Sequence, residues 1–221
     1  MFYIIIIIYT ILFIYNIIKL KKYNTNSRIL YIKNINDIEN ELNTLNPIVS
    51  SYIDSLSFND LLNINPTYII KDNKRFVSLK SFTEESQLYV YKNKHIIDDL
   101  DVKPKICLYL FKDPYYLINK SISLFKGNII TNMIKCENNY TLIHIIHGET
   151  ILYLFNPKHI LEIKDKSLHK IKKWAYKIHL KKFQCLIIPS QWYYIQESEK
   201  ETIQFEINIY NYFTIFSKYI Y

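Results

Sequence analysis

Glycine is almost missing from this chain. Among 221 residues only Gly127 and Gly148 occur, too few to build a Gly-rich phosphate-binding loop. Three cysteines, Cys107, Cys136 and Cys185, form no C-x-x-C pair; a disulfide framework or a zinc site does not follow, and a reducing compartment is expected. Arginine is confined to Arg28 and Arg75, so the net charge of +8 rests on lysine. No basic block is sustained. The charge reads as a lysine-rich solvated surface, with attraction to acidic lipid or nucleic acid as the competing reading, and a nucleic-acid partner is not expected.

Isoleucine, asparagine, lysine and tyrosine are abundant instead, and aromatic residues reach 16%. This bias suggests an AT-rich genome, viral or parasitic, in which many Lys and Asn residues carry no message. The length suits one domain with a sizeable core plus an appendage. Three segments are expected: a membrane anchor over 1–22, a polar and helical lead-in over 23–66, and a β domain over 67–221.

Phe2 to Ile18 reads FYIIIIIYTILFIYNII, without a charge. Roughly 17 residues at 1.5 Å each give ~26 Å, close to the hydrocarbon thickness. Lipid leaves the backbone only helix as a way to satisfy itself. Lys19, Lys21, Lys22 and Arg28 follow, which places the following domain on the cytosolic side of a single-pass anchor. A cleaved signal peptide would need a basic start and a small-residue cleavage site, and neither is present.

Beyond the anchor, Asp37 to Leu45 suits a short amphipathic helix ending near Pro47, and Phe58 to Leu62 a second. Short strands are expected at Tyr68–Ile70, Phe76–Val77 and Leu88–Tyr91. Pro114 to Ile118 reads as a loop and a turn of helix. The apolar runs at 128–134, 140–147 and 150–155 read as strands, and 167–177 as a helix with Leu168, Ile171 and Trp174 on one face. Strands then return at 185–188, 192–196 and 202–212, the last alternating Ile203, Phe205, Ile207 and Ile209. Many short strands point to a closed or sandwiched antiparallel architecture.

Two segments carry a family resemblance. GNIITNMIKCENNYTLIHIIHGETILYLFNP, from Gly127 to Pro157, and LKKFQCLIIPSQWYYIQE, from Leu180 to Glu197, resemble the central blocks of cupin-like proteins related to the JmjC oxygenases. The resemblance covers about a third of the chain and is most specific at Ile-Pro-Ser-x-Trp-Tyr-Tyr. It implies a mainly β fold, a double-stranded β-helix or jelly roll with a few flanking helices, here preceded by one transmembrane helix. Active relatives hold Fe(II) through a His-x-Asp pair and a later His, and bind 2-oxoglutarate partly through a Lys. In this chain the His position is Lys135, the Asp position Glu137, the later His position Tyr194 and the Lys position Thr150. A cosubstrate-contacting Thr becomes Asn132, and the Gly of a Gly-Asp turn is lost at Phe183-Gln184.

A facial-triad iron needs imidazole and carboxylate ligands, whereas a lysine ammonium repels the metal. The resemblance therefore implies a pseudoenzyme without metal or cosubstrate, acting as a binding or scaffold module for a protein partner at the membrane. Residues two apart on a strand share a face, so Lys135 and Glu137 are expected to point inward together. There the ammonium would fill the vacated metal volume, paired with Glu137 and near the Tyr194 hydroxyl; Cys136 would point away. Two other functions compete. One is a divergent Fe(II)/2-oxoglutarate hydroxylase using Glu137 with His144 or His147, although imidazoles three apart on a strand face opposite ways. The other is a cationic protein binding acidic lipid or nucleic acid.

Overall fold

The computed structural model describes residues 2–51, 63, 65–72, 75–84, 88–99, 110–111, 116–164 and 166–212. Phe2–Lys21 form helix α1, long and apolar enough to cross a membrane. Helix α2 (Ile35–Leu42) has Asn34 as its cap, the side chain accepting from the Asn36 N–H. It matches the amphipathic segment expected there, with Ile38 fully buried.

The rest is mainly β. A seven-stranded sheet runs in the order β1 (Leu30–Ile32), β2 (Ile48–Ser51), β12 (Gln184–Pro189), β9 (Tyr140–His147), β14 (Thr202–Asn211), β6 (Tyr116–Lys126) and β5 (Leu88–Asn93). A five-stranded sheet holds β11 (Ala175–Lys181), β10 (Glu149–Phe155), β13 (Tyr193–Ser198) and β7 (Ile129–Ile130), with β8 (Ile134–Lys135) also on β13. A separate hairpin pairs β3 (Ile69–Asp72) with β4 (Arg75–Ser78). From β6 onward the chain changes sheet at every step except from β7 to β8 and from β10 to β11, the latter two joined through short helical turns.

The two large sheets pack face to face over Val49, Ile143, Ile145, Leu186 and Ile188 from one and Leu152, Leu154, Ile178, Leu180 and Tyr194 from the other. The outer face of the seven-stranded sheet is also buried. Ile203, Phe205, Ile207 and Ile209 pack there with Ile38, Ile70, Val77, Leu79, Ile96 and Ile97. Short helical turns close the outer face of the other sheet through Ile163 and Ile171 against Tyr153, Phe155 and Ile195. With both faces of the seven-stranded sheet covered, its central strands β9 and β12 place apolar residues on both sides.

Two expectations are corrected. Pro114–Ile118 does not lead into a helix: β6 begins at Tyr116 and pairs with β14 over ten residues. The helix expected over 167–177 stops after Leu168–Ile171 and a 3-10 turn, because Ala175–Lys181 pairs with β10 and buries Ile178 and Leu180 at strand spacing. The seven-stranded sheet reaches back to Leu30 through β1 and β2, into what the sequence reads as lead-in. The helix expected at Phe58–Leu62 lies outside the described residues, as does Cys107.

Candidate functional site

Strand β14 alternates two kinds of side chain. Its apolar set faces outward into the covered layer, while Gln204, Glu206 and Asn208 face the space between the sheets. Glu206 is 1% exposed. Its Oε1 lies 2.6 Å from Lys92 Nζ and accepts from Asn208 Nδ2 at 3.3 Å. Its Oε2 accepts from the Tyr194 hydroxyl at 3.2 Å. Lys92 comes from β5 at a left-handed residue, φ 51°, where the pairing with β6 shifts register. That irregularity turns its ammonium inward, a use of a bulge that recurs beside functional sites.

Around this pair opens a polar cavity of about 170 Å³, bordered by Ile134, Lys135, Glu137, Asn138, Thr141, Tyr194 and Tyr210 as well as Lys92, Glu206 and Asn208. Asn138 donates to Thr141 Oγ1 at 3.1 Å and to Asn208 Oδ1, and Thr141 donates to the same oxygen at 3.0 Å. Burial first, then the Glu206 charge, pushes the Tyr194 hydroxyl well above its ordinary pKa and raises Tyr91 likewise. Burial raises the Cys136 thiol to about 12. The cavity base thus holds one carboxylate, one ammonium and neutral phenols and amides.

The three positions read as former metal ligands do border one cavity. Their orientation differs from the expected one. Tyr194 stands opposite Ile134 and Tyr193 opposite Lys135, so Lys135 falls on the outward side, exposed at the rim with Glu137. Cys136 takes the inward position: its N–H donates to Trp192 O and its carbonyl accepts from Gln191 N, and its thiol is 2% exposed in the intersheet core. The interior pair of Lys135 with Glu137 is therefore corrected. An interior ammonium–carboxylate pair exists, but Lys92 and Glu206 form it.

Of the two positions that the resemblance aligns with cosubstrate contacts, Asn132 is exposed. Thr150 is buried at the other end of the intersheet space, where its hydroxyl donates to Glu197 O and accepts from Gln196 Nε2. Gln196 and Gln204 exchange two amide hydrogen bonds, at 2.6 and 3.0 Å. They occupy that end with a neutral, satisfied network, as buried polar groups require.

The donor set does not fit Fe(II) with 2-oxoglutarate. Glu206, the one fully buried carboxylate among the described residues, is already bonded to an ammonium and a phenol. His144 is buried against Phe205, whose side chain belongs to the outer layer, with ring centroids 6.5 Å apart. His147 Nε2 lies 3.4 Å from Glu201 at the far end of the strand. Glu137, His144 and His147 do not converge, and among the described residues no group of three or more His, Cys, Asp or Glu side chains is placed to hold a metal ion. Trp192, fully buried beside Tyr176, is core packing.

Lys92, Glu206, Asn208 and the two glutamines escaped sequence reasoning. The available signal was three polar residues in strict alternation within an otherwise apolar terminal strand. No family model matches the chain, and no curated protein matches it.

Proposed function

We propose that this chain is a membrane-anchored, double-stranded β-helix domain of cupin-like type that binds a partner and performs no iron chemistry. The strand orders β12-β9-β14-β6 and β11-β10-β13-β7 support the fold reading, since successive strands alternate between two facing sheets as in a jelly roll. Phe183 adds to it: the position where the resembling family has Gly keeps a left-handed backbone, φ 66°, though its residue has changed. Lysines after α1 favour a cytosolic domain.

The observation that carries the non-catalytic reading is the Lys92–Glu206 pair. It neutralises the cavity's only deeply buried carboxylate among the described residues, so a divalent cation entering there meets an ammonium 2.6 Å from its best ligand. Full-length protein in detergent micelles, loaded anaerobically with Fe(II) and then desalted, is expected to retain no stoichiometric iron and to release no succinate from 2-oxoglutarate. One iron per chain, or steady succinate release, would remove this function.

A further inference from the structure

The end of α1 is fastened to the domain without slack. The Leu20 carbonyl accepts from Ser190 Oγ at 2.8 Å and from Gln191 Nε2 at 3.4 Å. Just beyond, Asn24 O accepts from Asn156 Nδ2, Thr25 O from Lys158 Nζ and Ser27 O from the Tyr176 hydroxyl, all at 2.7–2.8 Å. Tyr3 to Leu12 are exposed, while Asn16 and Ile17 are half-buried and Leu20 is buried. The helix therefore stands away from the domain and touches it only with its last turns.

Length then fixes height. The 19 residues Tyr3–Lys21 give about 28 Å of helix, against about 30 Å of hydrocarbon. A helix that must use every residue to cross leaves Leu20 at headgroup level, together with whatever is hydrogen-bonded to it.

Those contacts all land on one end of the domain. Register places Phe155, Ala175, Tyr193 and Lys135 on one rung of the five-stranded sheet. Pro189, Tyr140 and Ile209 form the matching rung of the other. Asn156, Lys158, Ser190 and Gln191 follow at that end, and Gln191 N donates at 2.7 Å to Cys136 O, between the rim residues Lys135 and Glu137. Leu161 lies three residues after Lys158 and is 85% exposed. Exposed Lys19, Lys21 and Lys22 flank the fastened end of α1, Lys158 reaches Thr25 O, and exposed Lys135 and Glu137 adjoin the Cys136–Gln191 contact. The opposite end is mixed: Glu149 pairs there with Lys200 at 2.7 Å and Glu201 with Lys126 at 3.6 Å, beside Glu199, Lys181 and Lys182.

We infer that the domain rests cavity-end down on the bilayer that α1 crosses. Leu161 enters the interface, the lysines meet acidic headgroups, and the polar cavity opens among them. The inference rests on the reading of α1 as a membrane anchor. It makes the cavity accessible to ligands at the membrane surface, and it matches the composition of interfacial contacts, where basic residues flank an inserted apolar side chain.

Nitroxide labels placed by Leu161→Cys and by Lys182→Cys test it in full-length protein, in a Cys107→Ser background with Cys136 and Cys185 buried. Lys182 is exposed and lies at the other end, since six residue steps of β11 span about 20 Å. In phosphatidylcholine–phosphatidylserine vesicles the Leu161 label should show a several-fold higher ratio of oxygen to nickel-chelate collisions than the Lys182 label. Equal ratios in protein that resists alkaline carbonate extraction would overturn the orientation alone. Release of the chain by carbonate would instead overturn the anchor reading beneath it.

Discussion

Lys92 Nζ lies 2.6 Å from Glu206 Oε1, joining two strands that flank β6 on opposite sides and carry residues 114 positions apart. Glu206 is buried, while the Lys92 side chain is 31% exposed. Removing the lysine leaves an almost wholly buried carboxylate without its ammonium partner. Lys92→Met is therefore expected to destabilise the full-length protein by about 2–3 kcal/mol, below the ~3–5 typical of fully buried pairs. Glu206→Gln should cost less, and the double variant should recover most of the Lys92→Met loss. Denaturant unfolding in micelles measures all four corners; simple additivity would show that the pair is not coupled.

Alkali is the expected weakness of this interior. Tyr194, Tyr91 and Cys136 all have raised pKa values from burial. In the unfolded chain these groups ionise at their ordinary values, while in the folded protein they remain neutral. Their contribution is therefore fully present below about pH 9 and is lost as pH rises towards the folded values, by about 1.4 kcal/mol per pH unit for each group. Stability is expected to fall from about pH 9 upward, and Tyr194→Phe to make the fall shallower. Following tyrosinate absorbance beside circular dichroism through a pH series decides it. Tyrosines that ionise without loss of structure would contradict it.

Two left-handed positions should respond in opposite ways. At Gly148 (φ 75°) an added Cβ would lie 1.9 Å from the Glu201 carbonyl oxygen, backbone that cannot yield, so Gly148→Ala is expected to cost several kcal/mol, on the order of 4. Phe183 adopts φ 66° with a side chain, a conformation costing roughly 1–2 kcal/mol outside glycine. Phe183→Gly relieves that strain but gives up a half-buried ring beneath Lys182. A net gain of about 0.5 kcal/mol is expected. Thermal unfolding of the two variants in micelles checks both signs.

The legible part of the sequence was its hydrophobic pattern. The 17-residue apolar run, the alternation in β14 and the apolar runs of β9, β10, β12 and β13 each announced an element. Less was readable where a tertiary partner decides the outcome. Ala175–Lys181 has apolar residues compatible with either period, and only pairing with β10 makes it a strand. The cavity was half legible. The motif gathered Lys135, Glu137 and Tyr194 at one place, but a register set by Gln191 and Trp192 rotated Lys135 outward and Cys136 inward. Lys92 could not be placed at all, because its inward turn depends on a bulge against β6.

The neutral end of the intersheet space offers the sharpest test of that polar alternation. Gln196 and Gln204, 1% and 0% exposed, satisfy each other through two hydrogen bonds, and Gln196 also donates to Thr150. Gln204→Leu leaves the Gln196 amide short of partners, a loss of about 1–3 kcal/mol. Gln196→Leu does the same to Gln204. Replacing both removes the orphaned groups together and adds apolar surface where the adjoining core is apolar. The double variant is therefore expected to be no less stable than either single one, with a coupling of about 1–2 kcal/mol. Denaturant midpoints for the three variants measure this. A double variant that loses the sum of the single losses would mean that the two amides do not depend on each other.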